Sequence, residues 1–202
     1  VLDKALKFPE AALRKFLFSL LFLAAIPAFA ADKTWPIDET LGKPDAPITI
    51  IEYASLTCSH CAEFEAKVWP QLKKDWLDTG KAKLVYRDYV WDAMAEAAAM
   101  ISHCAGHDRY FPFVETFFHS QANWLRSDNP MNSLKGIARL GGMPEDKVDA
   151  CLQDKNLLNQ ILARKDEAEK LYNVHSTPTF VINGKVQTDV SPDYQSFVQL
   201  LK

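Results

Sequence analysis

Two cysteines carry the chemistry this sequence can be expected to do. Cys58 and Cys61 stand in the run Thr57-Cys58-Ser59-His60-Cys61, between a short β-forming stretch, Ile48 to Tyr53, and an amphipathic segment of helical periodicity that begins near Cys61. Thiols three positions apart at a helix start can close into a disulfide. The first of them meets backbone N–H groups and the positive end of the helix dipole, which stabilise a thiolate. That is the chemistry of disulfide exchange. Covalent attachment of c-type haem requires a His directly after the second Cys, and Ala62 stands there. A structural zinc site requires four ligands, usually from two closely spaced pairs, whereas Cys104 and Cys151 are 47 positions apart. No metal and no cofactor is called for.

The N-terminal residues indicate where such chemistry would operate. Arg14 and Lys15 precede the apolar run Phe16 to Ile26, followed by Pro27 and the small-residue pattern Ala28-Phe29-Ala30. These are the three parts of a secretory signal, residues 1–30, with cleavage expected after Ala30. An uncleaved anchor is the alternative, but a run of eleven residues is short for a bilayer. Of the 23 basic and 26 acidic residues, four and two precede Ala31, so the remaining chain has a net charge of −5. A mildly acidic chain with no basic stripe argues against nucleic acid as a partner. In an oxidising compartment the remaining cysteines are expected to pair. Cys104 and Cys151 both lie on apolar helical faces, so they read either as a structural disulfide between two helices or as two separately buried thiols.

The elements that must position the pair can be read in order. The arm Asp32 to Pro47 holds Pro36, Gly42, Pro44 and Pro47 and reads as polar chain and turn. Ile48 to Tyr53 is a buried strand by its β-branched content. The helix after the motif carries Phe64, Val68, Leu72 and Trp76, is kinked by Pro70 and ends at Gly80; Lys83 to Val90 is a second strand. A strand, helix, strand unit favours a parallel pair. From Trp91 to Tyr172 the periodicity is helical throughout, with helices over 93–105, 110–123 and 133–140, a short one opened by Pro144, and a long one through Leu171. Strand signals return at Thr179 to Ile182, then the turn Asn183-Gly184, a strand through Gln187 and a final helix capped by Ser191-Pro192-Asp193. The expected fold is α/β: residues 31–90 and 173–202 form one domain, into which a helical block, 91–172, is inserted.

With Glu52, Cys58-Ser59-His60-Cys61, Thr177-Pro178 and this order of elements, the sequence resembles the DsbA-like branch of the thioredoxin fold over nearly all of residues 36–201. The resemblance implies a thioredoxin-like domain with an inserted all-helical subdomain. It makes Cys58 the exposed nucleophile, Cys61 the buried resolving partner, and Pro178 a cis-proline facing the disulfide. Each role has a physical reason. A stabilised Cys58 thiolate favours the reduced form and makes the disulfide an oxidant. His60, charged or donating a hydrogen bond, would add to that stabilisation. Pro178 has no N–H, so the chain beside it, with Thr177, can pair with an extended substrate. Glu52, an acid inside an apolar strand, should have a raised pKa and exchange a proton with Cys61. The implied activity is that of a periplasmic thiol:disulfide oxidoreductase that oxidises reduced secreted or periplasmic proteins and is reoxidised by a DsbB-like, quinone-linked membrane partner. Two features depart from the best-known strongly oxidising members: Ser-His in place of Pro-His between the cysteines, and Thr177 before the proline, where the sequence resembles disulfide isomerases. The alternatives are an isomerase or reductase with the same site, and a peptide-binding, chaperone-like module in which the cysteines are only structural.

Overall fold

The computed structural model describes residues 37–187 and 190–202; the expected export signal and its cleavage point lie outside them. One mixed sheet is formed by β1 (Glu39–Gly42), β2 (Ile48–Ala54), β3 (Ala82–Asp88), β4 (Thr179–Ile182) and β5 (Lys185–Gln187), in the order β1-β3-β2-β4-β5. β2 and β3 are parallel and the other pairings antiparallel. β1 falls within the arm that the sequence reads as polar chain and turn. Its Glu-Thr-Leu-Gly shows no sustained alternation, and it is held by pairing along the outer edge of β3, Leu41 opposite Leu84. The turn into β5 places Asn183 and Gly184 at φ 47° and 81°, the left-handed pair that a two-residue hairpin requires.

Alternation along β2 divides two buried layers. Ile50 and Ala54 face a core that includes Phe64, Leu72, Phe180 and Phe197, whereas Ile51 and Tyr53 face Tyr89, Ala168, Val174 and Val181. The rings of Phe64, Phe180 and Phe197 lie 4.6 to 5.1 Å apart, and each contributes about 1.5–3 kcal/mol by its burial. This cluster seats the helix that carries the cysteines against the sheet. Glu52 shares the face of Ile50, with Tyr86 on β3 and Phe180 on β4 as its neighbours in register.

That helix, α1 (Ser59–Lys67), is shorter than its apolar pattern suggests. It breaks at Val68, because Pro70 has no N–H to continue the ladder, and resumes as α2 (Trp69–Leu72) and a π-turn at Lys73–Leu77. Between β3 and β4 come α3 (Ala93–Cys104), α4 (His107–His119), α5 (Gln121–Leu125), α6 (Pro130–Leu140), α7 (Glu145–Leu152) and α8 (Lys155–Tyr172); α9 (Tyr194–Gln199) closes the chain. Aspartate or asparagine side chains cap α3, α6, α8 and α9. The single helix expected over 110–123 is two, α4 and α5, divided at Ser120. Pro144 has extended ψ of 151° and precedes α7 as its cap rather than opening it.

Cys104 at the end of α3 and Cys151 in α7 form a disulfide, surrounded by Ala99, Met100, Leu157 and Ile161. Further along α8, Arg164 donates to Asp38 and to Glu167, and Asp38 also accepts from Arg87 of β3 at 2.9 Å. Among the described residues, no helix is long and apolar enough to cross a membrane.

Candidate active site

Cys58 is the N-cap residue of α1, with extended backbone angles and no side-chain cap of its own. The turn that delivers it is tied down on every side. Its N–H donates to the Ser55 carbonyl at 3.0 Å. The Thr57 hydroxyl donates to Asp92 at 2.8 Å, and the other oxygen of that carboxylate caps α3 through the N–H groups of Met94 and Ala95. Buried Gln121, on α5, donates from one amide nitrogen to the carbonyls of Leu56 and Cys58, both at 2.9 Å. The helical block thus holds the cysteine loop from above.

The structure shows the dithiol, with Cys58 half-buried and Cys61 buried. Cys58 Sγ lies 3.3 Å from the Thr177 carbonyl oxygen, and the Thr177–Pro178 bond is cis. The Cys58 thiol is lowered to about 5. The largest cause is the hydrogen bond from the Cys61 thiol; partial burial opposes it, and the Thr177 hydroxyl and the N–H groups of Cys61 and His60 add to it. Cys61 is pushed the other way, well above the ordinary thiol range, chiefly by burial and then by its neighbour Cys58. Two thiols in one turn are therefore held in opposite protonation states near neutral pH, one an anionic nucleophile and the other a protonated partner.

The structure places the His60 ring at the surface of the first turn of α1. The side chain is 78% exposed and lies 3.8 Å from Glu63; at the first turn of the helix the ring projects outward, and what reaches the sulfur is the backbone N–H. Glu52 is fully enclosed, and burial, followed by the charge of Cys58, raises it to about 8. Next to it lies a residue that the sequence reading passed over. Glu65 is raised to about 9 by burial and by the charges of Glu52 and Glu115. Its signal was spacing: it follows Cys61 by four positions and so shares its helix face. Trp91, to which no chemistry had been assigned, is half-exposed beside the site and donates to the Thr177 hydroxyl oxygen at 3.3 Å. A cleft of about 290 Å³ is lined by His60, Phe64, Thr177, Pro178 and Val190 among others. Cys104 and Cys151, bonded to each other, take no part in this grouping. Among the described residues, no group of three or more His, Cys, Asp or Glu side chains could hold a metal ion.

A family model described as Thioredoxin matches residues 35–202. Alpha-DsbA1 of Wolbachia pipientis shares 31% identity and superposes with a TM-score of 0.77 over 83% of this chain and 90% of that one. The chain belongs to the DsbA-like branch of the thioredoxin family. In this thioredoxin-like fold the helices α3 to α8 lie between β3 and β4. A protein-disulfide isomerase from Novosphingobium aromaticivorans is 27% identical, with a TM-score of 0.71 over 81% of this chain and 95% of that one. A putative protein-disulfide oxidoreductase of Rickettsia bellii is 31% identical over 160 residues, 77% of this chain and 61% of the relative. The chain therefore spans about three fifths of the length of that relative.

Proposed function

We propose that this chain is a protein thiol:disulfide oxidoreductase that works through Cys58-Ser59-His60-Cys61 and introduces disulfides into secreted proteins in the periplasm. The observation that carries the reading is the opposed pair of thiols, a Cys58 held anionic opposite Thr177 and a buried Cys61 held protonated. In the disulfide form, a substrate thiolate attacks Cys58 Sγ, Cys61 leaves, and a second substrate thiol displaces Cys58 to complete the substrate disulfide. Because the low pKa of Cys58 stabilises the reduced form, electrons flow from substrate to enzyme. Thr177 and Pro178 line the cleft where an extended substrate would pair. Reoxidation falls to a DsbB-like, quinone-linked membrane oxidant. Export rests on the signal read in residues 1–30, and the domain division 31–90 with 173–202 around 91–172 follows the order of elements.

The test is oxidation of a reduced two-cysteine peptide, with equilibration against glutathione. The disulfide form should oxidise the peptide and Cys58→Ser should not; unchanged turnover in the variant would refute the mechanism. A potential near about −120 mV supports net disulfide donation, and one near about −270 mV overturns it. One observation favours a second reading as isomerase or reductase. Thr177 precedes the proline, and its hydroxyl and carbonyl both engage the nucleophile, a contact that tunes the potential as well as the reactivity. Scrambled-disulfide repair that exceeds dithiol oxidation would favour that reading.

A further inference from the structure

The short segment from Tyr89 to Asp92, between β3 and α3, reaches both stretches of chain that flank the Cys58 sulfur. The Tyr89 N–H donates to the Ala54 carbonyl at 2.8 Å, which fixes the segment at the end of β2, just ahead of the cysteine loop. The Tyr89 hydroxyl lies 2.9 Å from the Val174 carbonyl and 2.8 Å from the Glu169 carboxylate. The Trp91 ring packs edge-on against that of Tyr89, with centroids 4.7 Å apart, and its Nε1–H donates to the Thr177 hydroxyl oxygen at 3.3 Å. Asp92 accepts from the Thr57 hydroxyl at 2.8 Å. Asp92 thus holds the residue before Cys58, while Tyr89 and Trp91 hold the loop between α8 and β4 at Val174 and at Thr177. A hydroxyl has one proton and two lone pairs, whereas an indole N–H only donates. With Trp91 on one lone pair, the Thr177 proton must point away from the indole. The Cys58 sulfur lies 3.3 Å from the carbonyl oxygen of the same threonine, and the Thr177 hydroxyl bonds to it as well. A bond received at the hydroxyl oxygen also polarises the O–H and strengthens the bond it gives.

We propose that Trp91 is a positioning residue for the exchange reaction: its indole N–H turns the Thr177 hydroxyl toward Cys58, so that the anionic sulfur of the dithiol receives a hydrogen bond that the disulfide does not. This deepens the exchange reading above and rests on it. When a substrate dithiol reduces the enzyme, its two thiols join in a disulfide and the Cys58–Cys61 bond takes the two electrons and breaks. Cys61 keeps one of the two protons, the other is released, and Cys58 stays anionic. The charge that the hydroxyl answers therefore exists only in the reduced form, because a sulfur bonded in a disulfide is a weak acceptor. An interaction confined to one side of an equilibrium moves it to that side. Here it favours the dithiol and makes the disulfide the stronger oxidant. The titratable groups that face the same sulfur are Cys61 from α1 and Glu52 from β2, and a change at Trp91 leaves both in place. Trp91 acts through Thr177.

The experiment measures the equilibrium constant against glutathione and the ultraviolet thiolate titration of Cys58 for the wild type, Trp91→Phe, Thr177→Val and the double variant. Trp91→Phe keeps an aromatic ring beside Tyr89 at a half-exposed position and removes the N–H. At about pH 7 its dithiol should be roughly threefold less favoured than that of the wild type, a change of about 14 mV toward the weaker oxidant. Its thiolate midpoint should rise by about half a pH unit. At about pH 4, where the sulfur is protonated in both proteins, the difference in equilibrium constant should vanish, which a packing defect would not do. In the Thr177→Val background, Trp91→Phe should move neither quantity, because the hydroxyl through which it acts is gone. A Trp91→Phe potential and midpoint equal to those of the wild type, a move to the stronger oxidant, a difference that persists at about pH 4, or a full effect in the Thr177→Val background would each overturn the proposal. A wild-type protein whose Cys58 does not exchange with glutathione would instead overturn the exchange reading, and the role of Trp91 with it.

Discussion

The potential of the Cys58–Cys61 pair should change slope with pH near pH 5. Below the Cys58 pKa, reduction binds two protons along with two electrons, and the potential falls by about 59 mV per pH unit; above it only Cys61 binds one, and the slope drops to about 30 mV. With Cys58 at about 5 and Cys61 far above, the shallow regime should hold from about pH 5 to 7. It should steepen again toward pH 8, because the Cys58 thiolate is one of the causes that raise Glu52; closing the disulfide removes that charge, and Glu52 then gains proton occupancy on reduction. At pH 7 the thiolate lies two units above its pKa, worth about 2.7 kcal/mol of preference for the dithiol over a site with an ordinary thiol. Solvent screening at a half-buried sulfur reduces that to roughly 1–2 kcal/mol, or roughly 20–40 mV in the oxidising direction. The assay is glutathione equilibration at each pH with alkylation and mass readout, alongside the ultraviolet absorbance of the thiolate. A uniform slope of about 59 mV through pH 7 would show that Cys58 is not held anionic, and the reasoning would fail.

Other outcomes follow from residues already placed. In the fold Glu52 stays protonated up to about pH 8, whereas unfolded it ionises near 4.5, so native stability should erode as pH rises across that window, by up to about 5 kcal/mol. Glu52→Gln should remove this slope and be the more stable protein at the alkaline end; parallel denaturant curves for both proteins at both ends would refute it. Gln121→Ala takes the side-chain donor from the carbonyls of Leu56 and Cys58, the latter keeping the Ala62 N–H, and should cost about 1–3 kcal/mol with slower exchange, checked by denaturation and the peptide assay. Cys104→Ala/Cys151→Ala opens a link across 47 positions and should lower stability by up to about 4 kcal/mol on the chain-entropy estimate. Peptide oxidation should persist, because the bond lies away from Cys58.

What the sequence disclosed depended on the range of the interaction. β2 and β4 announce themselves through β-branched runs, and Asn183-Gly184 through backbone preference, because these are properties of neighbouring residues. β1 does not, since its four residues become a strand only by lying against the edge of β3. Similarly, Cys58 and Cys61 could be found by their spacing, but Gln121 is 63 positions from Cys58 and nothing local to it marks an anchor. His60 was read by residue type, yet at its place in the first turn the backbone does the work and the ring faces water. Glu65 was visible in principle through its four-residue offset from Cys61; its burial depends on α4, which no pattern in α1 reveals.

The buried charges around Asp38 bear on how the molecule is assembled. Arg87 and Arg164 reach that carboxylate across 49 and 126 positions of chain, from the sheet and from the last helix of the inserted block. An ionised group taken from water without its partners costs several kcal/mol, so a sheet formed without α8, or α8 docked without the segment before β1, strands a charge in an apolar layer. Partial structures are penalised from both directions, and the sheet and the helical block should melt in a single cooperative transition. Trimming the inserted block away should therefore leave no smaller stable protein.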